Sequence, residues 1–163
     1  YACAALGGNP GEENIKLAVQ IRADYELQSM VPRDGALETI KKLKTMGYQI
    51  GLITNCTAEA PDLWDQTPFD SLIDIAVFSS SVGHMKPDPE IYKLTCEKLK
   101  VSPEKCLFIG DGSNKELTGA TQVGMEAIHL RIADEELEDA YLIENEDWKG
   151  TSISALKEVL ELV

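Results

Sequence analysis

Apolar positions fall along the chain in two textures. Over residues 12–28, Ile15, Val19 and Ala23 recur at four-residue spacing with Ala18 and Arg22 beside them. That period predicts a helix, ended by Pro32 and preceded by a small apolar run, 2–6, that Gly7 to Gly11 break off. Beyond Pro32, short apolar runs alternate with amphipathic stretches. The segment 36–46 places Leu37, Ile40 and Leu43 on one face and Lys41, Lys42 and Lys44 off it, with Asp34 as an N-cap and Gly47 where a C′ glycine belongs. Strands are predicted over 49–53, 75–78, 106–109 and 127–130, with a fifth at 141–143. Helices are predicted over 59–66, 88–100, 114–123 and 152–162, the last turning Ile153, Leu156 and Val159 or Leu160 inward.

Alternating strands and helices point to an α/β fold with a mainly parallel sheet, and in such sheets ligands sit outside the carboxyl ends of the strands. Charge narrows the partners. The 163 residues carry 15 basic and 28 acidic side chains, a net charge of −13, which argues against nucleic acid or an anionic membrane. No apolar run is long enough to span a bilayer. Cys3, Cys56, Cys96 and Cys106 form no CxxC pair, so zinc is disfavoured, and four reduced thiols in a cytoplasmic protein are expected. Residue 1 is Tyr1, not Met, so an upstream segment is expected.

Three of the predicted strands lead into polar chemistry. The first ends in Thr54-Asn55, a hydroxyl and an amide able to donate to an anionic oxygen, although such a pair more often makes a turn. The second leads into Ser79-Ser80-Ser81-Val82-Gly83-His84-Met85-Lys86-Pro87-Asp88-Pro89-Glu90. Pro87 restricts Lys86 to extended backbone and so aims its ammonium, where a lone lysine is otherwise usually solvated. The third ends in Gly110-Asp111-Gly112, with Glu116 five residues after Asp111 on a loop running into a helix. Two carboxylates so placed suit a hard cation; a helix cap and a solvated first turn explain them equally well.

In this order and at these strand ends, the segments resemble the haloacid dehalogenase-like (HAD) hydrolase superfamily. Thr54 matches its second motif. Lys86, in Lys-Pro-Asp-Pro-Glu-Ile-Tyr, matches the third as found in the helical-cap subfamily. Gly110-Asp111 through Glu116 matches the fourth, and 31–36 resembles the re-entry into the core after the cap. The resemblance implies a Rossmann-like three-layer α/β/α core over 30–163 and the end of a helical cap over 1–29. It implies that Thr54 and Lys86 act catalytically and, with Asn55, bind a phosphoryl group. It assigns Asp111 to Mg²⁺, with Glu116 acting from beyond the direct ligands or through water.

The family's first motif, Asp-x-Asp after an apolar strand, is absent; Asp62, Asp65, Asp70 and Asp74 have the wrong spacing. The chain is therefore expected to be the later part of a longer protein. Its central strand, nucleophile and general acid would come from the missing N-terminal segment. The leading expectation is a Mg²⁺-dependent phosphatase acting on a small phosphorylated metabolite. A phosphomutase, a 2-haloacid dehalogenase and a non-catalytic scaffold are the alternatives. His84 and His129 are expected to be structural or on the surface, Met30 and Met46 core, and 134–139 a solvated acidic face.

Overall fold

The computed structural model describes residues 8, 10–131 and 148–163. Along the chain run α1 (Gly11–Ser29), α2 (Ala36–Thr45), β1 (Gly51–Thr54), α3 (Ala60–Leu63), β2 (Ile75–Phe78), α4 (Ser79–Val82), α5 (Pro89–Leu99), β3 (Leu107–Gly110), α6 (Glu116–Gln122), β4 (Glu126–Leu130) and β5 (Ser152–Ile153). Among the described residues every strand pair is parallel. β1 pairs with β2, setting Gly51 opposite Ile75 and Thr54 opposite Phe78. β3 pairs with β4 and β4 with β5, setting Gly110 opposite His129 and His129 opposite Ser152.

The five strands among the described residues form two sheets, β1-β2 and β3-β4-β5. One hydrophobic cluster nevertheless draws on both, and a second joins the three-stranded sheet to Ile50, the residue before β1. On one face Val77, Ile91, Tyr92, Cys96 and Leu117 are buried, with Ile53 and Phe108 packed against them. On the other, Leu43, Ile128, Ile153 and Val159 are buried, with Ile50, Leu107 and Ile109 alongside. This is the three-layer α/β/α arrangement the sequence implies. Ile91, Leu117 and Ile128 are wholly inaccessible, and each such side chain contributes about 1.5–3 kcal/mol. β3, by contrast, is half-buried at all four positions, as is β1 from Leu52 to Thr54. These strands are parallel and lie in the middle of the layers, where near-complete burial is the rule.

Asp74 fixes the entry to the β1-β2 pair. Its Oδ2 accepts from Ile50 N at 2.7 Å, its backbone N–H donates to Ile50 O at 2.8 Å, and its Oδ1 meets Lys44 Nζ at 2.5 Å. α5 begins as its sequence predicts: Pro89 holds the first turn and the Asp88 carboxylate accepts from Glu90 N. Gly47 has φ of 92° after α2, the left-handed C′ position.

Several expectations are corrected. Residues 152–162 are not one helix: Ser152 and Ile153 pair with β4, and a 3-10 turn follows over Leu156–Glu161. The Glu158 carboxylate accepts from Ser154 N and Ala155 N and so stops a helix from starting earlier. The segment predicted as a helix from 114 starts at Glu116, because Asn114 and Lys115 have φ of 53° and 56°. Asp34 does not cap α2; Gly35, with φ of 74°, occupies that position. Met46 is 45% exposed rather than core, because it is the C-cap of α2 and lies past the helix's last turn. Met30 is half-buried. Cys96 is buried, while Cys56 and Cys106 are half-buried free thiols. The strand expected at 141–143, the acidic run 134–139 and Cys3 lie outside the described residues. No described helix is long and apolar enough to cross a membrane.

Candidate active site

The parallel strands deliver all the candidate residues to one edge of the sheets. Thr54 closes β1 and Asn55 follows it; β2 feeds through α4 to Lys86; β3 ends at Gly110, and Asp111 is next. Direct contacts join these loops. The Asn55 side chain faces the Lys86 peptide in both directions: Oδ1 accepts from Lys86 N at 2.8 Å and Nδ2 donates to Lys86 O at 3.0 Å. The amide proposed from the sequence to face a phosphate thus has its carbonyl and one hydrogen committed to holding Lys86. A primary amide carries a second hydrogen beyond these bonds. Cys56 N, two residues after Thr54, donates to Ser79 Oγ at 3.0 Å and ties the β1 and β2 loops together.

Lys86 Nζ lies 2.5 Å from Glu116 Oε2. The side chains are 15% and 4% exposed, so this pair is removed from water and is weakly screened. Glu116 Oε1 also accepts from Gly112 N at 3.2 Å. The ammonium stands 6.0 Å from the centroid of the Phe108 ring, at the edge of cation–π range. Gly110 supplies space rather than a turn: its φ is not left-handed, and a Cβ there would fall 2.0 Å from Glu116 Oε1. Gly112 does serve the turn, with φ of 84°.

The two carboxyls differ in character. Burial pushes the Glu116 carboxyl above its ordinary range, against the pull of Lys86. Asp111 is held below its ordinary range: burial opposes this, but bonds from the Ser113 side chain and backbone, with Lys86 nearby, outweigh it. Ser113 N donates to Asp111 Oδ1 at 2.9 Å. One acid is therefore ready to stay ionised and the other is committed to a lysine. Among the described residues no three His, Cys, Asp or Glu side chains cluster as a metal site. Asp111 fits one carboxylate ligand of a hard divalent cation, which takes one or two carboxylates and keeps several waters. Further protein ligands would have to come from elsewhere.

The histidines are placed as expected. His84 Nδ1 sits 2.7 Å from Asp88 Oδ2 on the exposed α5 entry. His129 Nε2 lies 3.0 Å from Asp111 O and braces that loop. Sequence reasoning missed Tyr92, whose buried hydroxyl donates to Glu116 O at 2.9 Å. In the sequence it stands only as the last residue of Lys-Pro-Asp-Pro-Glu-Ile-Tyr, with no local sign of a polar role.

Comparison with known proteins gives a consistent picture. A family profile described as haloacid dehalogenase-like hydrolase matches residues 5–124. The glyceraldehyde 3-phosphate phosphatase of Methanopyrus kandleri is 25% identical over 161 residues, covering 97% of this chain and 67% of that protein. The pyrophosphatase PpaX of Bacillus cereus is 27% identical over 114 residues, covering 69% of this chain and 52% of that protein. The crystal structure of a HAD phosphatase from Thermococcus onnurineus superposes with a TM-score of 0.66 at 23% identity, covering 80% of this chain and 57% of that one. The chain thus spans between about half and two thirds of the length of these proteins.

Proposed function

Because the chain belongs to the haloacid dehalogenase-like hydrolases, we propose that the complete protein is a Mg²⁺-dependent phosphatase acting on a small phosphorylated metabolite. The observation that carries this reading is the buried Lys86–Glu116 pair, set with Asp111 on the loops that follow β2 and β3. A lysine held at both backbone groups by Asn55 and counter-charged by Glu116 is a fixed cation for phosphoryl oxygens. The Thr54 hydroxyl is the neutral donor beside it, and Asp111 the ionised carboxylate for the metal. Mg²⁺, when bound, supplies neutralisation of charge on the transferring group.

The nucleophile comes from a strand outside these residues, inserted between β1 and β3 and bearing an Asp-x-Asp pair. In support, β1 and β3 pack against the same hydrophobic cluster, through Ile53 and Phe108, yet belong to separate sheets, and Leu52 to Thr54 and all of β3 are only half-buried. The first Asp attacks phosphorus and expels the alcohol oxygen, which takes a proton from the second Asp. Water, giving a proton to the second Asp, then attacks phosphorus, breaks its bond to the first Asp and releases phosphate. Residues 1–29 form the end of a cap and 30–163 the core without its first strand. In support, α1 has no buried residue and exposes Leu17, Ile21 and Tyr25 at 58%, 59% and 73%. With a net charge of −13, attraction of a phosphate must be local, through Lys86 and the metal. A cytoplasmic location fits this substrate class.

Phosphate release by the complete protein tests the proposal, using glyceraldehyde 3-phosphate, pyrophosphate and p-nitrophenyl phosphate with Mg²⁺ or with EDTA. Hydrolysis that needs the metal and falls at least about 100-fold in Lys86→Ala and Asp111→Asn is expected. Absence of phosphate release together with halide release from 2-haloacids would overturn it in favour of a dehalogenase. No turnover of either class would favour a scaffold.

A further inference from the structure

The ion pair of Lys86 and Glu116 needs both partners held still, yet the backbone around Glu116 is poorly anchored by its own helix. α6 has seven residues and no side-chain N-cap, and the two residues before it, Asn114 and Lys115, adopt left-handed φ of 53° and 56°. Non-glycine residues in that region carry strain that neighbouring structure must hold in place.

Tyr92 stands where that support is needed. It is wholly buried on the second turn of α5, in the same Lys-Pro-Asp-Pro-Glu-Ile-Tyr segment that carries Lys86. Its hydroxyl donates to the backbone carbonyl of Glu116 at 2.9 Å. Its ring meets Phe108 edge-on, with centroids 5.5 Å apart and planes at 67°. The face of Phe108 in turn lies beneath the Lys86 ammonium. Gly119 lets α6 approach: a Cβ there would be 2.7 Å from the Tyr92 hydroxyl and 2.9 Å from Pro87 O. One residue therefore touches the supports of both charges, through its hydroxyl on one side and its ring on the other.

We infer that Tyr92 is a positioning residue for the Lys86–Glu116 pair: its buried hydroxyl fixes the first residue of α6 and its ring fixes the aromatic floor under the ammonium. It touches neither substrate nor metal. The inference deepens the phosphatase reading and rests on it for any catalytic consequence, but the geometric claim stands apart from turnover.

The test uses Tyr92→Phe in the complete protein. This change removes one oxygen and leaves the ring against Phe108. The readout is the side-chain ammonium signal of Lys86 in ¹H–¹⁵N spectra, assigned by its loss in Lys86→Met. In the wild type, burial against Glu116 gives a resolved, slowly exchanging signal. In Tyr92→Phe its exchange with water accelerates about fivefold, the factor corresponding to one net hydrogen bond. On phosphate substrate kcat falls by a similar factor with KM little changed. A folded Tyr92→Phe protein whose Lys86 signal and exchange match the wild type overturns the inference, as does a wild type with no slowly exchanging Lys86 signal. If the signal responds as expected but neither protein hydrolyses phosphate, the phosphatase reading fails and the positioning role stands.

Discussion

Replacing Gly110 by alanine probes the site at its tightest point. The backbone there is not left-handed, so alanine meets no φ penalty and its effect comes from the added methyl alone. That Cβ would lie 2.0 Å from Glu116 Oε1, 2.6 Å from its Cδ and 3.0 Å from Phe108 Cε1, whereas ordinary contact begins at 3.4 Å. Oε1 must therefore retreat by about 1.4 Å, which pulls the carboxylate off Gly112 N and away from Lys86. Separating a buried pair costs about 3–5 kcal/mol when one charge is left without its partner. Here both charges survive and Lys86 keeps a route to water, so a loss of about 2–4 kcal/mol is expected. Urea unfolding of the complete protein measures it, and activity should fall at least about tenfold in parallel, since the lysine loses its aim. The cycle with Glu116→Ala isolates the cause. With the carboxylate gone only the 3.0 Å approach to Phe108 Cε1 remains, so Gly110→Ala should cost less than about 1 kcal/mol. A single-mutant cost under that value, or an equal cost in both backgrounds, would refute the placement of Glu116 against Gly110 and Lys86.

Three further outcomes follow from the same contacts. Asn55→Ala removes both bonds to the Lys86 backbone and should lower stability by about 1–2 kcal/mol in urea titrations, with a loss of phosphate turnover greater than that of Ser80→Ala. Asp74 is held below its ordinary range first by Lys44 and then by Ile50 N, so the stability it confers is present above about pH 3.9 and is lost as pH falls through its lowered value. Asp74→Asn should therefore cost about 1 kcal/mol at pH 7, and the difference from the wild type should vanish in acid unfolding curves at the lowest pH. Burial, then the neighbouring Cys106, pushes the Cys96 thiol up to about 12, so Ellman's reagent at pH 8 should modify Cys106 and Cys56 at least about tenfold faster than Cys96, read by peptide mass mapping.

What could be read beforehand was what local pattern controls. The apolar runs ending at Thr54, Phe78 and Gly110 each became a strand, because short β-branched segments flanked by polar loops have few other ways to bury themselves. Strand ends in a parallel sheet then bring distant loops together, so Lys86 and Glu116 were legible as members of one site, whereas their direct pairing across 30 residues was not. What escaped the sequence depended on tertiary distance. Gly110 looks like a turn glycine until Glu116 is seen folded back over it. Asn55 looks like a ligand donor until its amide is found against the Lys86 peptide. Tyr92 shares its periodicity with Ile91 and Cys96, and nothing local distinguishes a packed ring from one whose hydroxyl holds a carbonyl. The end of the chain failed for a related reason: apolar spacing over 152–162 fits a helix, but Ser152 and Ile153 are claimed by the edge of β4.

The central claim is that these residues serve an aspartate nucleophile supplied by a strand between β1 and β3. Borohydride trapping tests it most directly: the complete protein is mixed with substrate and Mg²⁺, quenched and reduced, and its peptides are mapped for aspartate converted to homoserine. Conversion of one aspartate, the first of an Asp-x-Asp pair upstream of these residues, is expected, with its loss in Lys86→Ala. Conversion at Asp111 or any other aspartate of this chain, or turnover with no trapped aspartate, would contradict it.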